Sequence, residues 1–109
     1  NCIIYGNKEA EVALDKNPAA DFNYLFDHSL IKVNDDFSTS DINHFKNILV
    51  NKDPKFKKPY ENNFELDTLS MAKDYGKIEI GEMFPLDINL NSRISDTGPD
   101  LGAFERIEN

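Results

Sequence analysis

Asp53-Pro54-Lys55-Phe56, Asn63-Phe64-Glu65-Leu66, Ser70-Met71-Ala72-Lys73-Asp74-Tyr75-Gly76 and Gly98-Pro99-Asp100-Leu101-Gly102-Ala103-Phe104-Glu105 are short apolar words divided by polar turns. Asp53-Pro54 opens a turn, and the fixed proline φ sets the direction of Phe56. Phe64 and Leu66 alternate with Glu65, as a half-buried strand requires. After the Gly98-Pro99 turn, Asp100 to Ile107 also alternates. Leu101, Ala103, Glu105 and Ile107 fall on one side and Gly102 and Phe104 on the other, which predicts a strand with close backbone packing at Gly102.

Upstream, Cys2 to Tyr5 is a β-prone run closed by Gly6-Asn7. Phe22, Tyr24 and Phe26 share one face of an expected strand, and Ser29 to Val33 forms a second apolar word, with Asp27-His28 as the corner between them. Lys8 to Asp15 is too short to assign, and Asn17-Pro18 ends it. Asn34 to Ser40 reads as a loop. Ser40 then caps a helical turn over Asp41 to Phe45, and a strand follows at Ile48 to Val50. Lys57-Lys58-Pro59 reads as exposed loop.

The order of these words resembles the closing segment of right-handed parallel β-helix proteins of bacterial, Bacteroides-like cell surfaces, members of the pectin-lyase-like superfamily. That segment runs DPxF, xFxL, SPAIDxG and PDIGAxE; here Met71 stands for the proline and Lys73 for the isoleucine of the third word. The resemblance implies a mainly β chain, residues 1–109 as one domain, with short helical turns and long loops. It would form the C-terminal coils and closing segment of a longer, secreted or surface-anchored protein, a view that the abrupt apolar start at Asn1-Cys2-Ile3 also suggests. The implied function is a non-catalytic cap and recognition part, glycan-associated. Implied partners are the upstream coils of the same protein, a polysaccharide or protein ligand, and further copies through a broken edge at Cys2 to Tyr5.

Composition agrees with a folded, acidic domain. The chain has 109 residues, eight phenylalanines and 39% hydrophobic content, and its charge is 12 minus 20, or −8. That field disfavours phosphate backbones and anionic lipid, so nucleic acid is not an expected partner. No apolar run approaches the roughly 20 residues of a transmembrane helix.

No catalytic, cofactor or metal site is expected. Cys2, the single cysteine, reads as a small hydrophobe rather than a nucleophile or lipid anchor. His28 and His44 read as corner or surface histidines, with no motif around either. Asp87-Ile88-Asn89-Leu90-Asn91 matches the opening of a calcium loop, but Ser92 replaces the turn glycine and Gly98 the bidentate glutamate. Turn capping is therefore favoured over an irregular calcium site at Asp87, Asp96 or Asp100. Asp100, Glu105 and Arg93 match recurring family positions and read as structural. The alternative function is part of a polysaccharide lyase or glycoside hydrolase using two carboxylates. The lysines at 52, 55, 57 and 58 read as a solvated loop. Tyr5, Tyr24, Tyr60 and Tyr75 could stack on sugar rings, with core packing favoured for most of them.

Overall fold

The structure, a computed structural model, describes residues 1–107. Among these residues five strands and two short helical segments form: β1 (Ile3–Ile4), β2 (Phe26–Ile31), β3 (Phe45–Val50), β4 (Phe56–Lys58), a 3-10 turn (Pro59–Glu61), β5 (Asn63–Leu66) and α1 (Ile78–Met83). Strands β1, β2 and β3 make one parallel sheet in that order, while β4 and β5 pair antiparallel in a second.

This corrects the β-helix expectation. Among the described residues there is no solenoid and no closed sheet, only one three-stranded and one two-stranded sheet. The parallel register does stack apolar residues in rows: Ile3, Leu30 and Leu49 in one, Ile4, Ile31 and Val50 in the next. Successive rows face opposite sides of the sheet, and both sides are covered. Val12, Tyr24, Phe26, Phe37 and Phe45 pack with Ile31 on one side; Leu66, Ala72, Leu101, Phe56 and Tyr75 pack with Leu30 on the other. A parallel sheet buried on both faces favours continuous apolar runs such as Leu30-Ile31 over strict alternation.

Several local expectations shift for related reasons. Phe22 to Leu25 is not a strand, and a single strand runs from Phe26 straight through Asp27-His28. The corner survives as a kink, with His28 in the left-handed region at φ 46° beside Asn47 at φ 55° in β3. The turn before β3 forms, but Asp41 rather than Ser40 caps it: its Oδ1 accepts from the Asn43 N–H at 2.9 Å, and β3 begins at Phe45. Lys57 and Lys58 lie in β4 instead of a loop. Helix α1 had no counterpart in the sequence reading, because its Ile-Glu-Ile-Gly-Glu-Met run leaves Ile78, Ile80 and Met83 exposed.

The largest local correction is at Asp100 to Ile107, which forms no strand. Its backbone donors go to carboxylates and to distant carbonyls instead of a ladder. Glu105 N–H meets Asp87 Oδ2 at 2.6 Å, Arg106 N–H meets Asp100 Oδ2 at 2.7 Å, and Leu101 N–H meets the Ala72 carbonyl at 2.9 Å. Close packing at Gly102 is present. Its φ is +89°, and a Cβ there would lie 3.0 Å from Ile3 Cδ1. No helix among the described residues is long and apolar enough to cross a membrane.

Candidate functional site

A groove of about 710 Å³ opens beside the β4–β5 hairpin. One wall is the exit of β1, with Tyr5, Gly6 and Asn7. The other walls are the Asp53–Lys55 turn, the β4–β5 hairpin with Phe56, Tyr60 and Phe64, and the Asp67–Leu69 turn.

The hairpin is built by its sequence. Phe56 and Phe64 meet edge to face at 5.3 Å, while Lys57 and Glu65 pair at 3.2 Å. Between the strands, Pro59 supplies a helical φ at the start of the 3-10 turn, and Asn62 leaves it at φ 59° with its N–H on the Pro59 carbonyl. Tyr60 is thus presented from a tight connection, and it is 83% exposed. Asp53 and Asp67 shape the neighbouring turns, Oδ1 of each accepting from the N–H two residues on, at Lys55 and Leu69 (2.8 and 3.2 Å). Tyr5 has Lys32 Nζ 4.8 Å from its ring centroid.

The four tyrosines differ in setting, with Tyr5 both on the groove and, like Tyr75, half-buried against the Leu30 cluster. Tyr5 and Tyr60 line the groove. Tyr24 stacks on His44 at 4.0 Å in the aromatic cluster with Phe26 and Phe45, and Tyr75 packs against the core beneath Leu30. Of the four lysines, Lys55 reaches the groove, Lys57 and Lys58 pair with Glu65 and Glu61, and Lys52 is exposed. Cys2 is exposed rather than buried, which corrects its reading as a buried hydrophobe.

Neither histidine stands alone. His44 Nδ1 lies 2.9 Å from the Tyr24 carbonyl. His28 Nδ1 lies 2.5 Å from Asp27 Oδ1, and the other oxygen of Asp27 meets Lys77 Nζ at 3.2 Å. Burial works against the charge on Asp27, but His28 and Lys77 outweigh it and hold the carboxyl below its ordinary value. The sequence offered no sign that Lys77, fifty positions away, would complete this group.

The acids of the closing segment form a second, buried cluster. Asp87 Oδ1 accepts from Asn89 and Asn91 N–H, both at 2.8 Å, so the calcium-like run is a capped turn. Asp96 lies within 3.4 Å of the Gly98 N–H. Among the described residues no three His, Cys, Asp or Glu groups converge as metal ligands. Burial opposes the charge on Asp87, but the N–H groups of Glu105, Asn91 and Asn89, with Arg93 nearby, lower its pKa.

Asp100 and Glu105 go the other way. Burial raises Asp100 despite its bonds from the Arg106 and Asp74 N–H groups. Burial and the Asp100 charge push Glu105 up to about 8, against Arg93, whose Nη1 lies 3.3 Å away. The Glu105 side chain is 1% exposed and both its oxygens lie 3.1 Å from the Asp100 N–H. A carboxyl held there ties chain segments together. No family model, curated protein or solved structure matches the chain.

Proposed function

We propose that this chain is a non-catalytic structural and recognition module of a secreted or cell-surface bacterial protein, and that its groove holds a saccharide. The observation that supports this reading is Tyr60, exposed on a tight turn beside Asp53, Lys55 and Asp67. A tyrosine ring offers an apolar face for the C–H face of a pyranose, and its hydroxyl remains wet. The turn carboxylates and the Lys55 ammonium are suited to sugar hydroxyls, in a concave site with a few polar groups among apolar ones. An extracellular setting goes with that class of ligand.

Glycoside hydrolysis would need one carboxyl to act as an acid and a second as nucleophile or base across the same bond. The two acids that burial holds toward the protonated form, Asp100 and Glu105, are engaged by backbone N–H groups. This favours binding without turnover over the hydrolase alternative.

Tyr60→Ala is expected to weaken oligosaccharide binding by about tenfold or more, the loss typical of an aromatic anchor. Stability should change by no more than about 0.5 kcal/mol, because the side chain is on the surface. Calorimetric titration against a panel of neutral and charged oligosaccharides checks this. Unchanged affinity in the variant would remove the groove from the reading.

The structural half of the proposal draws on a second surface. Ile80, Phe84, Leu86, Ile88 and Leu90 are all exposed within one segment. We assign this segment to packing on other parts of the same protein. Taken alone, the chain is then expected to self-associate as its concentration rises, and Phe84→Asp is expected to suppress this. Sedimentation velocity over a concentration series is the measurement, and a monomer throughout would count against the packing role.

A further inference from the structure

The charge in the groove points to a narrower class of ligand. Asp53, Asp67 and Lys55 line it, while at its Gly6 end Lys32 Nζ, 2.8 Å from the Gly6 carbonyl, is offset by Glu11, whose Oε1 lies against Gly6 and accepts from the Lys8 N–H, so the local sum is one net negative charge. The chain as a whole carries −8. An anionic ligand would approach against both the near and the far field, whereas an ammonium group would approach along them. The aromatic walls act in the same sense. The face of a tyrosine attracts an ammonium within about 6 Å of its centroid. Such a contact already exists at the groove's edge, where Lys32 Nζ lies 4.8 Å from the Tyr5 ring. Tyr60 presents a second ring of the same kind, 83% exposed.

We propose that the groove takes an amino-bearing saccharide, a chain of sugar rings with free ammonium groups, in preference to a neutral chain and in opposition to a uronate. This rests on the saccharide reading of the groove. The ammonium groups sit between the Asp53 and Asp67 carboxylates, and a ring stacks on Tyr60. No bond is made or broken.

Three hexasaccharides of one linkage separate charge from shape: β-1,4-linked glucosamine, glucose and glucuronic acid, titrated calorimetrically at mildly acidic pH and low salt. The expected order is glucosamine, then glucose about tenfold weaker, then glucuronic acid with no detectable binding. Asp53→Asn/Asp67→Asn is expected to weaken binding of the glucosamine chain about tenfold more than binding of the glucose chain, so that the two converge. Asparagine keeps the Oδ1 acceptors of both turns, so the hairpin surroundings are retained. Glu9→Gln/Asp15→Asn removes the same charge from exposed positions outside the groove lining. An equal loss in that variant would assign the preference to the whole-molecule field and overturn the proposal. Equal binding of the three chains, or tightest binding of the uronate, would overturn it while the saccharide reading stands. If none of the three binds, or if Tyr60→Ala affects none of them, the saccharide reading falls as well.

Discussion

Leu30→Ala is expected to destabilise the chain by about 2–5 kcal/mol, the range for a large aliphatic removed from a packed core. Leu30 is 0% exposed and lies in the middle of the row Ile3–Leu30–Leu49, under Leu66, Ala72 and Leu101. It therefore joins the parallel sheet to the C-terminal half. Since a domain of this size has a net stability of about 5–15 kcal/mol, the loss takes a large share of the total. Truncating Leu69, which is 71% exposed on the groove's rim, should cost far less. Urea unfolding of the two variants gives the comparison. A similar midpoint for Leu30→Ala and the native chain would mean that the two halves are not held through this face.

Raising the pH is expected to destabilise the protein across the window from about 4.5 to 8. Glu105 has an ordinary value of 4.5 and is pushed up to about 8 when folded, so the folded state holds its proton more tightly than the unfolded one. A group of this sign contributes stability that is fully present below the lower value and is lost as pH rises through the higher one. Asp100, also raised, adds to the same trend. Asp27 and Asp87 are lowered and act in reverse, costing stability only as pH falls below the ordinary carboxylate value of 3.8. The groups facing Glu105 are Arg93, Asp100, Asp96 and, through its N–H, Asp87. Glu105→Gln, which imitates the protonated acid, is expected to flatten the trend. Melting temperatures over that window, with and without the substitution, decide it. A native melting temperature that holds steady or climbs would show that Arg93 keeps Glu105 ionised.

Both effects bear on how the closing segment is held. Asp87, Asp100 and Glu105 accept backbone N–H groups from Asn89, Asn91, Asp74, Asp100, Glu105 and Arg106. These bonds replace the ladder that the alternating pattern at Asp100 to Ile107 predicted. Alternation shows only that a segment can bury one side, and it is silent on whether a partner strand exists. The β-helix expectation failed on the same point. Short β-prone words and turns say where the chain can extend and bend, whereas closure into coils depends on which words pair.

The groove shows a similar division. Asp53-Pro54 and Phe64-Glu65-Leu66 were legible as turn and strand chemistry, whereas the 3-10 turn at Pro59–Glu61 lay in a stretch that reads only as loop. Tyr60 was one of four tyrosines with sugar-stacking potential. Only packing separated exposed Tyr60 from half-buried Tyr5, Tyr24 and Tyr75, and brought Tyr5 to the groove beside it. The Asp27–Lys77 pair had no sequence signal, since it joins positions brought together by the fold alone.

By itself, the sequence determined the acidic character of the chain, the turns that interrupt it and the short apolar segments between them. These follow from formal charge, from the fixed φ of proline and from local side-chain bonds to the backbone. The tertiary structure decided that Leu30-Ile31 would be covered on both sides, that carboxylates would replace a last strand, and that Tyr5 and Tyr60 would share one groove. Each of those depends on contacts between residues far apart in the chain, where burial and pairing outweigh local preference.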